Sequence, residues 1–392
     1  MKITAVTCHL CASATSLGDA VGSAIVRVET DEGLSGHGEP LMGMFCGEAT
    51  LALVNYYAPL LIGKDPLDRT TIWQRMWDSS VWWGRSGATV SVMGGIANAL
   101  WDIAGKAAGK PCHRLQRADR PESIPVYASL GPSPHVEEVP ALIERLKGWG
   151  FRAAKIGPFF RQPGGGIAGP RGADLLATIA PVLAEMRGQG GTDFGLIVDG
   201  HMGGVPDPFS REEALALGQA MEPFSCLFFE EPLSYLDAAG YAWLRERTKV
   251  RIAGGESLSL RRGFEEFVKV DALDVLQPDA NFVGGVDQFL AVAALAGENN
   301  LPIIPHAWAA GPGVMANLHL AFAAPQTEML EMGQHLTELQ RATLIDPPRI
   351  KDGRLLAPTA PGLGIEFEPK LAEKFPYPAG IAERASGLMT VD

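Results

Sequence analysis

Cysteine is scarce in this chain, and positive charge is outnumbered. Its 392 residues include five cysteines, an odd and scattered set that offers no disulfide framework and fits a reducing cytoplasm. Cys8-His-Leu-Cys11 resembles half of a zinc site, but no second Cys/His pair follows at finger spacing. Positions 8 and 11 would also point to opposite faces of one strand, so a structural zinc is not expected there. Acids exceed Lys plus Arg by 45 to 33, and the resulting net charge of −12 argues against non-specific binding of nucleic acid or of anionic membranes. An anionic substrate would then need local positive charge or a metal. No segment reaches the length of a membrane helix, and Met1-Lys-Ile-Thr-Ala-Val reads as a strand without signal-peptide anatomy. Pro163-Gly-Gly-Gly166 has the glycines of a phosphate cradle, yet no Lys-Ser/Thr of the P-loop type follows, and a flexible loop beside a site is the preferred reading.

With 46% apolar and 20% charged residues, the composition is that of a globular protein, and the length suits a barrel plus a smaller domain. Residues 2–9 and 22–30 are rich in β-formers, and Asp31-Glu-Gly-Leu turns the chain after them. The small polar stretch Cys11 to Asp19 between them reads as a mobile loop. Helical periodicity follows over Glu48–Leu61 and Thr70–Asp78. It is longest over Ala88–Ala108, where Val92, Ile96, Ala99, Leu100 and Ile103 share a face until Gly109-Lys-Pro111 stops the helix. Strands and then helices, without alternation, predict a separate α+β domain over residues 1–120. Polar residues from Arg117 to Ser123 read as a linker. Alternating βα units then run over 124–345, and Ser210-Arg-Glu-Glu213 is a capping box within them. The segment 346–392, rich in proline and glycine, is expected to pack back on the first domain.

Within the alternating section, short apolar runs end in polar groups. Phe194-Gly-Leu-Ile-Val-Asp-Gly-His201 is a buried-strand pattern closed by an acid and an imidazole. Taken alone, it also fits Asp199 capping a turn and His201 in solvent. The pattern recurs in Leu227-Phe-Phe-Glu-Glu231, Ile252-Ala-Gly-Gly-Glu256, Val275-Leu-Gln-Pro-Asp279, Pro302-Ile-Ile-Pro-His306 and Glu328-Met-Leu-Glu331. Steps of about 23 to 31 residues separate Asp199, Glu230, Glu256, Asp279, His306 and Glu331, the length of one βα repeat. Polar groups at successive strand ends are the active-site plan of a (β/α)8 barrel.

These motifs resemble the enolase superfamily, in its mandelate racemase-like branch, over essentially the whole chain. Val26-Arg-Val-Glu-Thr-Asp-Glu-Gly-Leu-Ser-Gly-His-Gly-Glu39 and Ile96-Ala-Asn-Ala-Leu-Trp-Asp-Ile-Ala-Gly-Lys106 are similar to that family's capping domain. Glu230-Glu-Pro232, Gly255-Glu256, and Gln277-Pro-Asp279 with Gly284-Gly285 follow in family order. The resemblance implies a modified, enolase-like α/β barrel capped by an N-terminal α+β domain that the C-terminal tail completes. It also implies Mg²⁺ held by Asp199, Glu230 and Glu256. Three convergent carboxylates cannot all stay ionised without a cation, and oxygen-only ligands select a hard one.

By the same resemblance Asp279 and His306 form a dyad in which His306 is the general base. Lys155 and Glu331 would contact the substrate carboxylate, with Glu328 the lesser candidate for the latter role. Where many members carry Lys-x-Lys, this chain has Lys155-Ile-Gly157, so the expected second base is missing. There is also no lysine at the sixth strand end. Asp199-Gly-His201 resembles the acid-sugar dehydratases of the branch, in which the histidine is the acid that expels the β-hydroxyl. The expectation is a cytoplasmic Mg²⁺-dependent dehydratase, a homo-oligomer acting on a small anionic sugar acid. A hydroxy-acid racemase or epimerase and a non-catalytic metal- or sugar-acid-binding protein are the alternatives. Specificity is expected from loops at Cys11–Asp19, Met42–Cys46 and Trp82-Trp83-Gly-Arg85, with Trp308 as a further wall or a packing residue.

Overall fold

Three antiparallel strands, Ile3–Ala14, Ala20–Thr30 and Ser35–Gly38, form a sheet in chain order in a computed structural model that describes residues 1–14, 20–116, 121–161 and 167–378. The expected glycine loop at 163–166, and parts of the Cys11–Asp19 loop, the linker and the tail, lie outside the described residues. Alternation along the second strand divides the sheet between two cores. Val26 and Val28 pack with Ile3, Val54, Ile96 and Ile103 beneath the helices, while Ile25 joins Cys11, Leu339, Phe367 and Phe375.

The helices are Gly47–Leu61, Arg69–Ser80 and Ala88–Ala107. The last is buried at nearly every position, because it serves two cores at once. Its Val92, Ile96 and Leu100 pack in the first domain, and its Trp101 packs in the barrel's main core. Gly36 and Gly38 let the edge strand lie directly on this helix; a Cβ at either would run into the carbonyl oxygen of Ala99 or Gly95.

Six parallel strands follow in spatial order: Ser123–Pro132, Ala153–Gly157, Gly195–Asp199, Phe229–Glu230, Ile252–Gly254 and Val275–Leu276. Leu276 bridges to Ile303, and Ile303 to Thr327. Leu330–Gly333 then pairs back on the first strand with Glu331 opposite Tyr127, which closes an eight-membered ring. Helices cover its outside, among them Val139–Gly148, Gly172–Gly190 and Val286–Glu298. Each strand sends one apolar side chain to a common floor inside the ring: Tyr127, Ala153, Ile197, Phe228, Ala253, Val275, Ile304 and Met329.

Sequence periodicity misses one part of the tail. Ile350–Lys351 and Arg354–Leu356 form a hairpin whose second strand pairs antiparallel with the start of the first barrel strand, Leu355 opposite Ile124. The chain then crosses to the first domain. There Leu363 N donates to the buried Asp102 Oδ1 at 2.7 Å, Ala12 N donates to the Phe375 carbonyl at 3.0 Å, and Gly47 N donates to the Tyr377 hydroxyl at 2.9 Å. None of the five cysteines, Cys8 and Cys11 included, is in a disulfide. No helix among the described residues is long and apolar enough to cross a membrane.

The close approach at Gly38 gives a direct check. Gly38→Ala should lower stability by about 1–3 kcal/mol through overpacking. Gly188→Ala, within the helix Gly172–Gly190 and with nothing within 4 Å of the new methyl, should gain about 0.5–1 kcal/mol. Urea denaturation midpoints that move together for the two variants would contradict this packing.

Candidate active site

Side chains alternate across a strand, so the residue two places beyond each floor position faces inward again, nearer the mouth. Two steps beyond Ala153, Ile197, Phe228, Val275, Ile304 and Met329 stand Lys155, Asp199, Glu230, Gln277, His306 and Glu331. The apolar floor is therefore overlaid by a polar layer. The fifth strand departs from this count: the position is Gly255, with φ +126°, and Glu256 follows it. Asp199 and Glu230 are direct partners on adjacent strands, which puts their carboxylates on the same inner face.

Lys155 is the hub of this layer. Its Nζ lies 3.1 Å from Asp199 Oδ2, 2.6 Å from Glu230 Oε1 and 2.8 Å from Glu331 Oε1, above the Tyr127 ring at 5.9 Å. Burial pulls the lysine pKa down, but Asp199, Glu230 and Glu331 outweigh it and hold the group well above its ordinary value. One ammonium does not satisfy all its neighbours. Burial, with Asp199, Glu331 and Glu256 nearby, pushes Glu230 up to about 8 despite Lys155. Glu331 goes the other way: against burial, Lys155, His306 and the Ala307 amide (2.9 Å) bring it down to about 2.

The sixth and seventh strand ends bring Asp279 and His306 together. Asp279 Oδ1 accepts from Asn281 N (2.6 Å) and Asn317 Nδ2 (2.9 Å), and its Oδ2 faces His306 Nδ1 at 2.6 Å. A carboxylate so fixed holds the proton on Nδ1 and turns Nε2 toward Glu256 Oε2 (3.4 Å) and Glu331 Oε2 (3.8 Å). On the third strand Asp199 does two things at once. Its Oδ1 accepts the His201 amide at 2.8 Å in a tight turn, with His201 at φ +55°, and its Oδ2 stands 3.6 Å from His201 Nδ1. Burial pulls the His201 imidazole down, yet Asp199, Glu256 and Glu231 together push it up, and its side chain is 41% exposed, so solvent screens part of that push.

Sequence reasoning missed Glu231 as a site residue. On a regular strand it would point away from Glu230, but its φ of +42° swings it round. Asp199, His201 and Glu231 then each offer a ligand atom within 4.8 Å of the others, a cluster that could hold a metal ion. Glu231 Oε1 is buried with no hydrogen-bond partner, and burial together with Glu256 pushes the group up to about 8. An unpaired carboxylate oxygen beside raised acids fits a hard divalent ion. Gln277 was missed too; its Nε2 donates to Glu230 Oε2 at 2.8 Å, and its place two residues after Val275 was the available signal. Glu328 turns outward to a bidentate pair with Arg251 at 2.8 and 3.0 Å.

The first domain closes on the mouth through polar contacts. Glu39 accepts from Ser23 Oγ (2.7 Å), Gly311 N (3.1 Å) and Gly313 N (2.6 Å), and Ser91 Oγ donates to the Asn281 carbonyl at 2.6 Å. Met42 and Trp308 both pack against a small cluster of Val21, Leu41, Met44, Phe282 and Ala310 that joins the two parts. Trp82 is 87% exposed.

Residues 4–116 match the mandelate racemase / muconate lactonizing enzyme N-terminal domain, and residues 138–371 match the enolase C-terminal domain-like family. The chain belongs to the enolase superfamily, in its mandelate racemase-like branch. Within it, the chain is similar to an arabinonate dehydratase of Saccharolobus solfataricus, 29% identical over 89% of each chain. It is 32% identical to a D-galactonate dehydratase of Variovorax paradoxus over 88% of each. It is also 30% identical to a D-galactarolactone cycloisomerase of Agrobacterium fabrum, over 96% of this chain and all of that one.

The charge balance around Lys155 is testable without substrate. Lys155→Met strands three buried carboxylates, and breaking such a set typically costs about 3–5 kcal/mol. In EDTA the variant should denature at clearly lower urea than the parent, and Mg²⁺ should recover more of its stability than it adds to the parent. Equal midpoints in EDTA would mean that the acids are solvated and that Lys155 is not their counter-charge.

Proposed function

We propose that the chain is a Mg²⁺-dependent sugar-acid dehydratase that converts a small anionic acid to its 2-keto-3-deoxy product. The observation that carries this reading is a pair of imidazoles set apart around the ring. The His306 imidazole is fixed by Asp279 at the seventh strand, and His201, held by Asp199 through its backbone amide, stands at the third, four places apart in a ring of eight. They thus approach the centre of the mouth from opposite sides. The dehydratases among the relatives support the same reaction class.

Asp199, Glu230 and Glu256 would hold the Mg²⁺, with Glu231 as a further acid on the His201 side, and the ion would supply positive charge beside the substrate carboxylate. Lys155 binds and orients that carboxylate, and Glu331, ionised beside Lys155 and His306, would hydrogen-bond it only on taking up a proton. His306, with its proton held on Nδ1 toward Asp279, takes the C2 proton at Nε2. His201 gives a proton to the C3 hydroxyl, which leaves as water with the electrons of the C3–O bond while C2=C3 forms; the enol then becomes the keto acid. Hydroxide leaves poorly, so this placed acid is needed. Gly157, where a second lysine base would stand, provides no group for reprotonating C2 on the other face, which disfavours a racemase.

A second reading follows from the cycloisomerase relative. If the β-oxygen belongs to a lactone ring, the same elimination expels a carboxylate and yields an isomer without loss of water. A panel of aldonic acids, aldaric acids and their lactones, assayed for keto acid and for water lost, separates the two.

Two outcomes are expected with the acid that turns over. EDTA abolishes activity and Mg²⁺ or Mn²⁺ restores it; full activity in metal-stripped enzyme would end the metal assignment. The two histidine variants should also part company. His306→Asn should lose both C2 deuterium exchange and turnover by about 10²–10⁴-fold. His201→Asn should lose dehydration but keep exchange, and a substrate with fluoride at C3 should partly rescue it alone. Normal turnover by His201→Asn would make that residue structural and remove the main support for a dehydratase.

A further inference from the structure

Position 157 lacks more than a lysine, because another side chain has taken its space. Lys155 and Gly157 face the same side of the second barrel strand, so a side chain at 157 would enter the mouth next to Lys155. A Cβ built on Gly157 overlaps the far edge of the Phe159 ring, its Cε1 and Cζ atoms. That ring lies edge-on to the His201 imidazole, with ring centroids 5.9 Å apart and planes at 69°. Phe159 is itself tied down, its carbonyl accepting from Ser133 N at 2.8 Å. His201 needs such support: its side chain is 41% exposed, and Asp199 holds its amide firmly but its Nδ1 only at 3.6 Å.

We propose that Phe159 is a positioning residue for His201, its ring filling the place of a side chain at 157 and setting the imidazole's orientation by an edge-on contact. The inference rests on the reading of His201 as the acid for the C3 hydroxyl, and it adds how one substitution couples two changes. Removing the side chain at 157 deletes a second base and opens the room for the ring that steadies the acid. An edge-on aromatic pair adds attraction beyond the area it buries, which in this place selects one imidazole rotamer over its neighbours.

Two measurements test this. The first needs no substrate. In protein labelled at histidine Cε1, the His201 signal is assigned by its loss in His201→Asn. Phe159→Ala should shift or broaden that signal and leave His306 in place. Gly157→Ala, which displaces the ring without removing it, should do the same, and Phe159→Tyr, which keeps the ring, should not. The second is a double-mutant cycle on the best acid of the panel. Phe159→Ala should lower kcat by about 10- to 100-fold, the scale of a misplaced reacting group, with KM little changed. In the His201→Asn background it should cost almost nothing further. A His201 signal unmoved in both Phe159→Ala and Gly157→Ala overturns the proposal, and so does an equal loss of kcat with and without His201. If the signal moves as expected but no acid in the panel is dehydrated, the positioning stands and the dehydratase reading fails.

Discussion

Closure of the ring is the constraint on which everything else in this molecule depends. In an open sheet an acid at a strand end has solvent beside it; in a closed ring of eight, the groups one layer above the floor must share a single small volume. Asp199, Glu230 and Glu331 all reach Lys155, and Glu256 and Glu331 both face His306 Nε2. Crowded like charges in a dry place are costly, so each carboxylate is shared, paired or pushed toward protonation. Burial and neighbouring acids raise Glu230 and Glu231, while Lys155 and His306 lower Glu331 against burial. Acids crowded in this way fit a bound cation, and Asp199, His201 and Glu231 form a cluster that could hold one.

Much of this was legible in the sequence because the period of a strand is two and that of a βα unit is about 25 residues. An apolar run closed by a polar group recurs once per unit, so Asp199, Glu230, Glu256, Asp279, His306 and Glu331 were visible as a series, while Lys155 came in only through the family resemblance. What escaped was set by backbone angles rather than by side-chain pattern. Glu231 reaches the site only because its φ is positive, and nothing in Glu-Glu-Pro announces that. The fifth strand hides the same effect behind Gly255. Phe159 escaped because its role depends on the emptiness of Gly157, a contact across a turn rather than a motif. The tail hairpin was unreadable for a different reason: two- and three-residue strands carry no usable periodicity.

The first domain acts on the site through backbone more than through side chains. Glu39 holds Gly311 and Gly313, just past His306, and Ser91 holds Asn281, whose amide in turn fixes Asp279. Burial pushes Glu39 up to about 7 despite its hydrogen bonds to Ser23, Gly313 and Gly311, with Asp279 adding to the push. A carboxyl held so high is anchored by geometry more than by charge. The dyad therefore takes its rigidity partly from residues that never approach a substrate.

The tail's route has a consequence for how the molecule comes into being. The first barrel strand lacks its antiparallel neighbour until Arg354–Leu356 exists, and the cap sheet has one bare face until Phe367 and Phe375 arrive. Tyr377 then links to Gly43 and Gly47, more than three hundred residues back along the chain. A ribosome that has delivered every strand of the barrel has thus delivered a mouth whose cover is still incomplete. The segment made first is finished last, when Phe367, Phe375 and Tyr377 reach the strands and helix made at the start.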